Sequence, residues 1–82
     1  METTFLPDAM AEFVALDSAA LRRVAKKIAW LAQNAETTDH IQLSGELSHL
    51  FKLRAGDYRI LYQLREDAIL IHAIGHRREI YD

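Results

Sequence analysis

With 82 residues, 50% of them hydrophobic, the chain has room for a single domain with a modest core. A formal net charge of −2 argues against indiscriminate binding to nucleic acid, and the absence of cysteine excludes both a disulfide framework and a thiolate metal site. No stretch approaches the ~20 apolar residues that span a bilayer, and Glu2 stands where a signal peptide would carry a basic segment, so the expected location is cytoplasmic, with no membrane partner.

Pro7 and Asp8 read as a helix start, since proline fixes φ and the carboxylate can satisfy free N–H groups. Met10, Phe13 and Val14 then recur at i, i+3 and i+4, which gives a short amphipathic helix ending near Leu16. Asp17 or Ser18 caps a second, longer helix. Its apolar stripe is Leu21, Val24, Ile28 and Leu31, with Ala25 and Ala32 beside it. Joined so closely, the two helices are expected to form an antiparallel hairpin. From Asn34 to His40 the period is lost, and a loop is expected.

The second half reads as strands. His49 to Arg54 alternates, with Phe51 and Leu53 on one side and Leu50, Lys52 and Arg54 on the other. Ala55-Gly56-Asp57 is a turn in which Gly56 can take a positive φ. Tyr58, Ile60, Tyr62 and Leu64 then face one way and Arg59, Leu61 and Gln63 the other. Arg65-Glu66-Asp67 forms a polar turn, and Ala68 to Ile74 is an apolar strand that Gly75 ends, leaving a basic tail to Asp82. Helices first and a three-strand meander after them predict an α+β fold, with the helical hairpin packed on one face of a small, mainly antiparallel sheet.

The direction of the strand cations matters most. Lys52 and Arg54 share a sheet face, and Arg59 joins them if the hairpin pairs in the simple register. Clustered cations repel one another and destabilise an isolated sheet, so the cluster makes sense if a polyanion neutralises it. Gly75-His76-Arg77-Arg78-Glu79-Ile80-Tyr81 adds an imidazole, two guanidiniums and a phenol. Together these residues fit RNA cleavage without a metal, which needs a base for the ribose 2′-OH, cations for the phosphorane and an acid for the leaving 5′ oxygen. Tyr81 or His76 can stack on a base or handle a proton. Arg22, Arg23, Lys26 and Lys27 fall within a ~140° arc of the second helix at 100° per residue, a basic stripe suited to RNA phosphates or to solvent. His72 reads as a packed histidine, and His40 and His49 have no metal-ligand spacing, so neither a metal nor a small-molecule cofactor is expected.

The run from Phe51 to Tyr62 resembles the central hairpin of RelE/ParE-superfamily toxins. Leu43-Ser44-Gly45 is similar to the Leu-x-Gly that precedes that hairpin, and Ile74 to Tyr81 to the family's terminal motif. The resemblance implies a RelE-like, microbial-RNase-like fold and the role of a toxin neutralised by a cognate antitoxin. RelE-type members cut messenger RNA on the ribosome without a metal. By the resemblance Arg59 falls on a phosphate-binding arginine, Lys52 on a basic position that can serve as general base, and Arg54 on a further basic position. Arg77, or else Arg78, falls where a second catalytic arginine is expected, and Tyr81 on the terminal tyrosine that orients the nucleotide. Leu50 stands where some members carry another lysine, and the longer C-terminal helix of some relatives is not expected. The basic helix stripe becomes a candidate ribosome contact and Trp30 a core or antitoxin contact. The same fold also serves ParE-type gyrase inhibitors, which bind without catalysis, and an inactive antitoxin-binding relative is a third possibility.

Overall fold

In the computed structural model, which describes residues 1–78, a short strand β1 (Glu2–Phe5) leads into two helices, α1 (Pro7–Val14) and α2 (Ser18–Asn34). Four strands follow: β2 (Ile41–Gln42), β3 (Phe51–Ala55), β4 (Tyr58–Leu64) and β5 (Ala68–His76), with a 3-10 turn at Gly45–Leu47 before β3. They make one sheet in the order β1-β5-β4-β3-β2, parallel between β1 and β5 and antiparallel elsewhere. The expected meander is its centre. Two edge strands, β1 and β2, extend it beyond the sequence expectation.

β1 contains one large apolar residue, Phe5, so its sequence carries little strand signal. Its order comes from pairing Glu2–Phe5 with Ala68–Ile71, continued by the Leu6 N–H bonded to the Ile71 carbonyl at 3.0 Å. α1 begins with proline at its first turn, but Leu6 is the cap residue, and no side chain makes the capping bond expected of Asp8. The helix also turns a different side to the core. Ala9 is buried and Phe13 stacks at 5.2 Å on Phe5, whereas Met10 and Val14 are exposed. Small Ala9 lets the helix approach β5, where the Glu12 carboxylate accepts the Ile74 N–H at 2.9 Å beyond the reach of β1. In α2 the Asp17 carboxylate accepts the Ala20 N–H at 2.9 Å, the expected cap. Its buried residues are Ala20, Val24, Ile28 and Leu31, one position off expectation at Leu21, which is half-buried.

The helices cover the face formed by Phe51, Leu53, Ala55, Tyr58, Ile60, Tyr62, Ile69, Ile71 and Ile74. The spacing of Ile69, Ile71 and Ile74 shifts from two to three because β5 carries a bulge. Leu61 pairs with Ala73 and Tyr62 with Ile71, so His72 is the extra residue and the strand's parity flips there. β5 therefore runs on through Gly75 to His76, paired opposite Arg59 and Tyr58 respectively. The expected break at Gly75 does not occur, because cross-strand pairing outweighs glycine's weak strand preference.

Segment 41–50 folds back over the second face, where Leu43, Leu47 and Leu50 pack on Leu61 and Ala73. Another tie fastens the loop after α2. His40 Nε2 donates to the Ala35 carbonyl at 2.7 Å, which can only accept, and Nδ1 pairs with the Tyr62 hydroxyl at 2.6 Å.

The β3–β4 hairpin closes with two residues, and Gly56 alone takes positive φ, +63°, the type II′ pattern. A Cβ there would also stand 2.8 Å from an Arg23 guanidinium nitrogen. Gly56→Ala is expected to cost about 1 kcal/mol or more from the backbone alone, read as a lower denaturant midpoint with an unchanged slope.

Candidate functional site

The hairpin register decides which cations meet. Arg54 lies directly opposite Arg59 and Lys52 opposite Leu61, so all three share the face turned away from the helices, as expected. Lys52 and Arg59 are then diagonal neighbours, with Cα atoms about 7–8 Å apart. Segment 41–50 packs on this face at Leu61 and Ala73, next to the row formed by Arg54, Arg59 and Gly75. Gly75 adds no side chain to that row.

Arg59 is only 7% exposed, the one charged residue buried among those described. A guanidinium keeps its charge at any working pH and interacts more strongly away from water. Arg59 stands directly across from Arg54, so two like charges face one another across the strand pair.

Arg77 sits at the turn end of the same hairpin. Its N–H donates to the Asp57 carbonyl at 2.8 Å and its Nε lies 3.8 Å from the Asp57 carboxylate, with the guanidinium about half exposed. It follows Gly75, the partner of Arg59, by two residues. Lys52 and Arg54 on β3, Arg59 on β4 and Arg77, just past the end of β5 and bonded to the β3–β4 turn, thus lie around the same hairpin. Tyr81 lies outside the described residues.

His76 stands apart from this group. It pairs opposite Tyr58 on the helix side, its ring edge-on to Tyr58 at 5.6 Å, and lines a hollow of about 430 Å³ with Glu12 and Leu16. The bulge at His72 is the cause, since it sets the parity of the strand end. Arg78 is exposed and its N–H reaches His76 Nδ1 at 3.3 Å. His72 Nε2 donates to Gln63 Oε1 at 3.1 Å, and its ring lies edge-on to His49, 6.1 Å away. Burial first, then the charges of His49 and Arg65, hold its pKa below the ordinary histidine value.

The basic stripe of α2 divides. Arg23, Lys26 and Lys27 line a hollow with Trp30, Arg54 and Gly56, whereas Arg22 does not. The sequence shows the stripe and the strand cations separately. Their meeting depends on how α2 lies over the β3–β4 turn, which no local pattern encodes. Trp30 is 39% exposed and so is not a core residue.

No helix of the described residues is long and apolar enough to cross a membrane. Comparison with curated protein sequences gives no match. Among solved structures, the chain is similar to the RelBE2 toxin–antitoxin complex of Mycobacterium tuberculosis, at 24% identity and a TM-score of 0.81, covering 93% of this chain and 96% of that one. It is also similar to isolated RelE toxin of E. coli, at 22% identity and 0.73, covering 92% and 82% of the two chains. The YoeB–YefM complex of Staphylococcus aureus matches at 14% identity and 0.76, covering 93% and 95%. At these identities the likeness establishes the α+β fold. Membership rests on sequence: the family described as ParE toxin of type II toxin-antitoxin system, parDE, matches residues 4–81, so the chain belongs to this toxin family of the RelE/ParE superfamily.

Proposed function

We propose that this toxin is a metal-independent endoribonuclease that cuts messenger RNA on the ribosome and is held inactive by a cognate antitoxin. The observation that carries the reading is the gathering of Lys52, Arg54 and Arg59 on one sheet face, with Arg77 at the hairpin's turn end. The combination of Lys52, Arg59, Arg77 and Tyr81 is one that a protein acting by binding alone does not need.

In the proposed reaction the ribose 2′-oxygen attacks the adjacent phosphorus and the bond from phosphorus to O5′ breaks. One fragment ends in a 2′,3′-cyclic phosphate and the other in a 5′-hydroxyl. Lys52 takes the 2′-OH proton. Arg59, with Arg54 and Arg77, holds the charge that develops on the phosphorane oxygens. The proton for O5′ comes from the C-terminal segment, where Tyr81 is the candidate. His76, turned to the helix side, is left out of these steps.

An antitoxin partner is supported by the neighbours of like fold, described as toxin–antitoxin complexes from Mycobacterium tuberculosis and Methanococcus jannaschii and as a RelE–RelB complex from Pyrococcus horikoshii. The ParE description of the matching family favours a second reading, in which the toxin poisons DNA gyrase by binding. Purified toxin in a reconstituted translation reaction separates the two. The nuclease reading expects a shortened message only when ribosomes are present. An intact message beside inhibited gyrase supercoiling would replace it with the second.

A further inference from the structure

Beside the cation face, the surface between α2 and the β3–β4 turn forms a hollow of about 350 Å³. Four of its lining residues are cations, Arg23, Lys26, Lys27 and Arg54, and no carboxylate is among them. In a chain of net charge −2 this is a local excess of positive charge. The hollow also holds an aromatic surface: Trp30 is 39% exposed, with the Lys27 ammonium 4.4 Å from its ring centre. The outer edge of β3 beside the hollow has no strand partner among the described residues past Lys52, since β2 pairs only with Phe51 and Lys52.

The geometry points to a second RNA subsite here, one that takes an unpaired nucleotide of the same message strand, near the bond to be cut. The inference rests on the nuclease reading and extends it. Three features select the occupant. Cations without carboxylates match a phosphodiester chain and repel a basic peptide. An exposed indole offers a stacking surface to any base that is free of its own helix, and an RNA duplex offers no such base. Arg54 belongs both to the hollow and to the row containing Arg59, so a strand on Arg54 meets both places without a gap. The ammonium over the indole sits where phosphates beside a stacked base would meet it. Gly56 completes the wall: with no side chain there, Arg23 lies flat across the turn.

Trp30 is the only tryptophan of the chain, so indole emission reports on this hollow alone. The probe is a single-stranded RNA hexamer, 2′-O-methylated to prevent cleavage and fluorescein-labelled for an independent anisotropy signal. Saturable quenching of Trp30 is expected together with the rise in anisotropy. Lys26→Ala should weaken binding several-fold and flatten its salt dependence, and Trp30→Ala should weaken it by about fivefold or more. Both side chains are at least partly exposed, and far-UV circular dichroism confirms folding. In cleavage assays both variants should raise KM on the message more than they lower kcat.

Other results overturn the inference in distinguishable ways. Tight hexamer binding with unchanged indole emission, indifferent to Lys26→Ala, removes the subsite and leaves the nuclease reading standing. Stronger quenching by the duplex of the same sequence assigns the surface to folded RNA. Quenching by a poly-glutamate decamer but not by RNA makes it a protein-docking surface. No binding of the hexamer by either signal, with no cleavage of ribosome-bound message, sinks both readings together.

Discussion

Arg59→Met is expected to lower cleavage of ribosome-bound message by about 10²–10³-fold, the scale of losing one preorganised charge stabiliser of a transition state. Methionine keeps much of the buried stem's volume and removes the charge. Arg59 is 7% exposed and directly faces Arg54 across the hairpin. Because the side chain is buried, the fold should also feel the substitution, at about 0.5–3 kcal/mol, the ordinary range of a point substitution. Thermal unfolding and single-turnover cleavage, measured on the same preparation, check the two halves. Loss of activity with a folded domain assigns Arg59 to the reaction. Full activity removes it from the site.

The second large effect is on stability. Tyr62 is 1% exposed, packs at 5.7 Å on Phe51, and binds His40, which in turn holds the end of α2 through Ala35. Tyr62→Ala should cost about 3–5 kcal/mol, much of the stability available to a domain this small. Tyr62→Phe keeps the ring and gives up the hydroxyl bond, at about 1 kcal/mol. The pair of variants also separates packing from titration. Burial pushes the Tyr62 phenol up to about 12 from 10. Below pH 10 the phenol is protonated in both states and its contribution is fully present. Above pH 10 the unfolded chain ionises while the fold holds the proton, so stability is lost progressively toward pH 12. Urea unfolding of wild type should show this alkaline fall, and Tyr62→Phe should show a shallower one. Identical slopes would mean that Tyr62 ionises as easily in the fold as outside it.

The parts of the structure legible in the sequence are those set by local period. Alternation from Phe51 to Leu64 assigns Ile60 and Tyr62 to the core and Lys52, Arg54 and Arg59 to the other face, because a two-residue hairpin at Gly56-Asp57 leaves one register. The longer helix is legible for the same reason. β1 is not, since Thr3, Thr4 and Phe5 owe their order to β5, more than sixty residues away. The buried face of α1 is not legible either, because eight residues hold too few apolar positions to fix a rotation, and small Ala9 outweighs Met10 in close packing.

The candidate site divides along the same line. Its strand cations are a matter of parity, and parity is local. The position of His76 on the helix side depends on a bulge at His72 that no turn residue announces. The hollow at Trp30 depends on tertiary contact between α2 and the hairpin, so the stripe from Arg22 to Lys27 showed its charge but not its neighbour Arg54.

One substituted message tests the chemistry most directly. After the cut position is mapped, a single 2′-deoxynucleotide is placed on the 5′ side of that bond in ribosome-bound RNA. Attack by the ribose oxygen, with Lys52 taking its proton and Arg59 steadying the phosphorane, predicts that cutting at that bond disappears while neighbouring bonds are still cut. Continued cutting at the substituted bond would contradict the proposed reaction.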